Sequence, residues 1–111
     1  MFKVEAITPV IGASISGISL NQDLKSDTVE KIYNALIKYQ VIFFREQDLT
    51  PESHLQLAKR FGDIDPGHPV YPHVEGFQSI VLLKNDESIR PDTNDWHKDL
   101  TFKSNPPFAS I

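Results

Sequence analysis

The sequence predicts an α+β chain with about five or six short strands and two helices. Three observations lead there. Apolar and polar residues alternate near the start, two capped stretches repeat with helical period, and short apolar runs carry β-branched and aromatic residues.

FKVEAITPV opens with strand-like alternation, and IGASISGISL continues it through Ile15 and Ile18, interrupted by Gly12 and Gly17. A β-hairpin or two adjacent short strands is expected. A helix should start near Asp27, with Asp27 as N-cap and Glu30 completing a capping-box pattern. Val29, Ile32, Tyr33 and Leu36 then share one helical face, which reads as core packing. QVIFFRE reads as a buried strand over residues 40–45. Thr50 and Pro51 suit the N-cap and first turn of a second helix. Leu55, Ala58 and Phe61 form its apolar stripe, and Gly62 is a natural stop. His54 falls in its first turn, near the surface, where a ligand role is not expected.

Residues 62–77, GDIDPGHPVYPHVEGF, have the Gly, Pro and aromatic content of a binding loop. SIVLLK reads as another buried strand, NDESIRPDTND as a polar mobile segment, and WHKDLTF as a short strand. The final FASI resembles the beginning of a further strand. A jelly-roll needs eight strands, and a sheet with fewer leaves open apolar edges. Residues 1–111 are therefore expected to form one partial domain, the front part of a larger protein. A complete small α+β domain is the alternative.

Apolar residues make up 40% and charged residues 23% of the 111, an ordinary globular balance. The net charge of −4, with Lys and Arg scattered, argues against a nucleic-acid partner but not against a small anionic substrate. The absence of cysteine removes disulfide scaffolds, Cys-zinc sites and thiol nucleophiles. It suits a cytoplasmic location, which is the expectation. MFKVEAITPVIG shows no apolar stretch of signal-peptide type, and no apolar run is long enough for a membrane span.

WHKDLTF carries the most specific chemistry. On a strand, His97 and Asp99 would share a face, about 6–7 Å apart at Cα. Both could then reach one ion at about 2.0–2.2 Å. Trp96, Leu100 and Phe102 would face the other way and pack. His73 and Glu75 repeat the same spacing in YPHVEG. Spacing alone leaves each pair open as a chelator or as an ordinary solvated polar face.

Four stretches together carry a family resemblance. ITPVIGASISGISL, YQVIFFREQDLTPESHLQLAKRFGDI, HPVYPH and NDWHKDLTFKSNPPFASI stand in an order and spacing similar to the N-terminal portion of the TauD/TfdA family, the iron(II)- and 2-oxoglutarate-dependent dioxygenases typified by taurine dioxygenase. The resemblance runs almost end to end. It implies the N-terminal part of a double-stranded β-helix, or jelly-roll, with flanking helices. It also implies iron(II), 2-oxoglutarate as cosubstrate, O₂, and hydroxylation of a small sulfonate such as taurine. His97 and Asp99 become the first two ligands of a two-His, one-carboxylate facial triad. His73 and Glu75 fall outside that pattern.

The same resemblance assigns substrate contacts. His68 is similar to a sulfonate-contacting His, and an imidazole N–H is a suitable donor to an anionic oxygen. Tyr71 resembles a pocket residue near the substrate amine, Leu100 a position whose backbone N–H meets the sulfonate, and Phe102 an aromatic wall. Plain packing is the alternative for Tyr71 and Phe102, and a backbone-satisfied loop histidine for His68. Thr93 stands where taurine dioxygenases carry an Asn at the substrate end of the pocket, with Asn94 beside it, so another sulfonate or small anion remains open.

After Asp99 the chain has no His and no Arg, so a third ligand and a guanidinium for the 2-oxoglutarate carboxylate are lacking. The 111 residues alone are expected to be inactive. A non-catalytic anion- or protein-binding module is the alternative reading. A metal site closed by His68 or His73 with His97 and Asp99 is a third. Relatives of this kind associate, so a homo-oligomer is an expectation by analogy.

Overall fold

A computed structural model describes residues 1–91 and 95–111. They form two compact units, Met1–Asp63 and Ile64–Ile111. No helix among the described residues is long and apolar enough to cross a membrane.

In the first unit, β1 (Lys3–Ala6) and β2 (Ala13–Ser16) pair antiparallel, Lys3 opposite Ser16 and Ala6 opposite Ala13. This is the expected hairpin. Thr8 shapes its connection, its hydroxyl accepting the Ile11 N–H at 2.9 Å. Gly12 follows at φ 93°, a conformation that a side chain would resist. Helix α1 (Ser26–Tyr39) leads to β3 (Ile42–Phe44), which joins β2 in parallel, Ala13 opposite Ile42. Parallel neighbours require such a crossover. The sheet order is β1-β2-β3, so β3 is an edge strand among the described residues.

Several expectations are corrected here. Lys25, not Asp27, is the N-cap of α1, and it makes no side-chain capping bond. Asp27 sits in the first turn, where its charge opposes the helix dipole's positive end. The buried face of α1 is Ile32 and Ala35, with Val29 and Leu36 half-buried, while Tyr33 turns outward. Gln40 is not in a strand. It ends α1 in a left-handed conformation, φ 66°, and donates its N–H to Leu36 O at 2.7 Å. The strand over 40–45 shortens to three residues, half-buried at Ile42 and Phe44 and exposed at Phe43. One neighbouring strand and one packed face account for the difference.

Helix α2 (Pro51–Lys59) has the expected Thr50 cap and Pro start. Ser53 completes the box, donating its N–H to Thr50 Oγ1 at 3.2 Å and accepting the Thr50 N–H at 2.9 Å. Leu57, outside the expected stripe, is its buried residue, while Leu55, Ala58 and Phe61 are half-buried. Leu20, Leu24, Ile32 and Leu57 form the core, with Phe2, Ile18, Val29, Ile42, Phe44, Leu49 and Phe61 packed around it. Gln47 ties the chain beneath them. Its amide accepts Leu20 N–H at 2.8 Å and donates to Ile18 O at 3.1 Å and Arg45 O at 3.0 Å. Arg60 likewise donates to Leu24 O at 2.6 Å and to Asp23 at 2.8 Å. Backbone groups that lack a strand partner are thus satisfied by side chains.

The second unit contains one hairpin, β4 (His73–Val74) and β5 (Phe77–Val81), antiparallel around Gly76 at φ 79°. The hairpin therefore begins inside the expected 62–77 loop. The expected SIVLLK strand starts earlier and stops at Val81, and Leu82 and Leu83 are exposed. WHKDLTF forms no strand. Residues 96–98 are irregular and 99–102 form turns, with Lys103 N–H donating to Leu100 O at 3.0 Å. No other strand pairs with this segment among the described residues, which is the physical reason its alternation has no consequence. The described residues hold five strands in two small sheets, so the jelly-roll expectation is met only by pieces and no closed barrel is present.

Candidate functional site

Residues 64–71 begin with Asp65. Its Oδ1 accepts the Gly67 N–H at 3.1 Å, an Asx turn that directs the chain into His68. Its Oδ2 accepts from Lys103 Nζ at 2.8 Å, with both side chains about two-thirds shielded (31% and 33% exposed). The Lys103 ammonium, then the Gly67 N–H, hold the Asp65 carboxyl below the usual carboxylate value. Gly67 lies at φ 119° against the Gln78 carbonyl of β5, so close that a Cβ there would collide with it. The loop is thereby seated on its own hairpin.

His68 follows with a defined tautomer. Its Nδ1 accepts two backbone N–H groups, from Val70 at 3.1 Å and Tyr71 at 3.2 Å. In the neutral ring the proton is then on Nε2, which is left as a donor. The half-buried Tyr71 ring tilts against the imidazole, centroids 4.6 Å apart. Backbone satisfaction and anion donation, set against each other on sequence grounds, use different atoms of the same ring.

His97 has the opposite tautomer. Its Nδ1 lies 2.8 Å from the Asp95 carbonyl, which can only accept, so in the neutral ring the proton is on Nδ1 and the lone pair on Nε2. Nε2 stands 3.3 Å from Asp99 Oδ1, a contact in which two acceptors meet in the neutral ring and which a proton or a cation between them makes favourable. Two ligands at about 2.1 Å from a metal, in adjacent octahedral positions, stand about 3 Å apart. The donor chemistry and spacing of the pair therefore fit two of three facial ligands, with the Asp95 carbonyl holding the imidazole as an outer partner does. Both side chains are exposed, at 56% and 71%.

The expected pairing of His97 with Asp99 thus survives the loss of the strand that was to create it. His97 lies in irregular chain just before the turn that begins at Asp99, and their short i, i+2 separation lets the side chains meet there; Leu100, next in the turn, takes φ 53°, costly for a non-glycine residue. The expected packing opposite the pair is corrected. Trp96 is fully exposed and Phe102 is 74% exposed, while Leu100 alone is half-buried. Phe102 is accordingly not yet a wall of anything the described residues enclose. Thr93 lies outside the described residues.

His73 Nδ1 also donates to a carbonyl, Val74 O at 2.8 Å, but Glu75 sits in the hairpin turn and not on its face. His54 belongs to α2 in the other unit. Among the described residues no three His, Cys, Asp or Glu side chains gather around one point, so a site closed by His68 or His73 with His97 and Asp99 is not formed. Asp65 and Lys103 were not singled out from the sequence. The Asp-Pro-Gly turn was a visible signal for Asp65. Lys103, 38 residues away, offered none.

Known proteins are similar to this chain in sequence and in fold. The family model described as taurine catabolism dioxygenase TauD, TfdA family, matches residues 3–111. An alpha-ketoglutarate-dependent sulfate ester dioxygenase of Pseudomonas putida is 39% identical over 109 residues, covering 97% of this chain and 35% of that protein. An alkylsulfatase of Acinetobacter baylyi is 37% identical over 110 residues, covering 98% of this chain and 34% of that protein. A solved taurine dioxygenase of Burkholderia xenovorans superposes with a TM-score of 0.66 at 39% identity, over 69% of this chain and 28% of that one. The chain thus spans about a third of the length of the curated relatives it matches. With the match running through both the core unit and the His-bearing turns, the chain belongs to the TauD/TfdA family of dioxygenases.

Proposed function

We propose that residues 1–111 supply the N-terminal part of one domain of a non-haem iron(II)- and 2-oxoglutarate-dependent dioxygenase. Its substrate is a small organic sulfur oxyanion, an alkyl sulfate ester or an alkylsulfonate. The observation that supports this most is the convergence of His97 Nε2 and Asp99 Oδ1 at 3.3 Å, with the His97 tautomer set by Asp95. When bound, iron with 2-oxoglutarate and O₂ supplies the oxidising power for C–H hydroxylation. The chain's own residues do the rest. His97 and Asp99 donate two ligands. His68 offers Nε2–H to an anionic oxygen, and the Leu100 backbone N–H is a second donor from the turn beside the ligands. Tyr71 contributes an aromatic wall beside His68, and Phe102 and Thr93 are assigned to the substrate by the family pattern alone. Hydroxylation at the carbon bearing the oxyanion releases sulfate or sulfite and leaves an aldehyde.

Taurine is one member of this class, and the relatives named for sulfate esters favour the broader assignment. The −SO₃ terminus is common to both, and a single N–H donor such as His68 reads that terminus and not the rest of the molecule. On this reading the enzyme acts in the cytoplasm and is expected to form a homo-oligomer.

Anaerobic titration with Mn(II), read by broadening of histidine NMR signals, tests the ligand assignment. His97 should broaden first, and Asp99→Ala should abolish the effect. Broadening centred on His73 that persists in His97→Ala would overturn it. Two ligands bind weakly, so the isolated 111 residues should form no succinate from 2-oxoglutarate in a substrate-dependent way. Robust turnover by them would show that the third ligand is not required.

A further inference from the structure

We propose that Asp65 and Lys103 act as a positioning clasp that fixes the spacing between the anion-donating His68 and the His97–Asp99 pair. The inference rests on the functional reading above and adds two residues to it. Asp65 and His68 belong to one short loop, and Lys103 to the turn that follows Asp99. Lys103 cannot drift independently of that turn, because its own N–H is bonded to Leu100 O at 3.0 Å. Asp65 cannot drift independently of the loop, because its other oxygen holds the Gly67 N–H at 3.1 Å. The 2.8 Å bond between them therefore joins two local frameworks 38 residues apart in sequence.

The divided use of the carboxylate is what makes this a clasp. One oxygen builds the turn into His68, and the other receives the ammonium. A substrate held by its oxyanion at one end and oxidised at a carbon near the metal needs that span held constant, since an error of about 1 Å in such placement costs about a hundredfold in rate. Gly67 seats the loop on β5, whereas the Asp65–Lys103 bond is what joins it to the 99–103 turn. Asp65 and Lys103 touch neither metal nor reacting atoms, and they are positioning residues.

Asp65→Asn separates the two functions of the side chain, keeping an oxygen for Gly67 N–H while removing the charge. Lys103→Met removes the other partner at similar length. In the full chain, spin labels at the exposed positions Val70 and Trp96 read the span directly by pulsed electron resonance. A narrow distance distribution should broaden in either variant, and the double variant Asp65→Asn/Lys103→Met should be no broader than the singles. Binding of hexyl sulfate without O₂ should weaken about fivefold to tenfold in each variant. Mn(II) affinity should stay unchanged, because neither residue is a donor. A distribution equally narrow in wild type and variants, one already broad in the wild type, or additive effects in the double variant would each overturn the clasp. So would broadening without any loss of hexyl sulfate affinity. Failure of the wild type to bind hexyl sulfate or hexanesulfonate, with broadening still seen, would instead overturn the oxyanion assignment of His68 and uphold the clasp.

Discussion

All the buried apolar residues lie in Met1–Asp63, while the candidate site residues that the structure describes lie in Ile64–Ile111. The first unit is held by exclusion of water. Leu20, Leu24, Ile32 and Leu57 meet in one cluster, and the strands and helices exist largely to bring them there. The second unit is held by the β4–β5 hairpin and by directional contacts, local ones of Asp65 with Gly67, His68 with Val70 and Tyr71, and His97 with Asp95, and a long-range one of Asp65 with Lys103. Apolar burial is large and tolerant of small displacements. Exposed polar contacts are individually small but sensitive to geometry. Stability and chemistry are thus carried by different residues on different physical terms, and the two can be perturbed separately.

The largest expected effect comes from Leu57→Ala. Removing this buried side chain should cost about 2–5 kcal/mol in urea denaturation. The His68 and His97 imidazole signals should hardly shift under native conditions. A shift as large as that caused by Asp65→Asn would break the division. A smaller effect on the same unit comes from Thr50→Ala, which removes the α2 cap and should cost about 1 kcal/mol, while Thr50→Ser should restore most of it. Equal losses in the two variants would show that the methyl group and not the hydroxyl matters.

The smallest effect belongs to the second unit and is a pH dependence. The Asp65 carboxyl is lowered from 3.8, so the folded form binds its proton less readily than the unfolded form. Its stabilising contribution is fully present above the unfolded value and is lost as pH falls through the lowered folded value. Asp65→Asn should flatten this part of the acid limb of the stability profile and leave the slope near neutrality unchanged. An unaltered acid limb would mean that the Lys103 contact is not maintained in solution.

Legibility in the sequence followed the same division. The hairpin, both helices and the Thr50 cap were readable because alternation, helical period and capping are local patterns that repeat along the chain. Their edges moved where tertiary contacts intervened, as at Gln40, which a strand-like run concealed and the helix claimed as its cap. In the second unit the pairing of His97 with Asp99 was expected for a reason that did not hold. A strand was to align them, and irregular chain leading into the turn at Asp99 did so instead. The i, i+2 spacing is short enough that either geometry brings two such side chains together.

By itself the sequence determined the elements of the first unit, the composition that excludes cysteine chemistry, and the family pattern through WHKDLTF. These are properties of neighbours in the chain or of order along it. Only the three-dimensional structure decided which face of α1 is buried, that Trp96 and Phe102 stand exposed, and which ring nitrogen of His68 and of His97 meets a backbone group. It alone joined Asp65 to Lys103. A tautomer is set by whether the partner atom donates or accepts, and a long-range ion pair by where two distant turns meet. Neither leaves a periodic trace in the sequence.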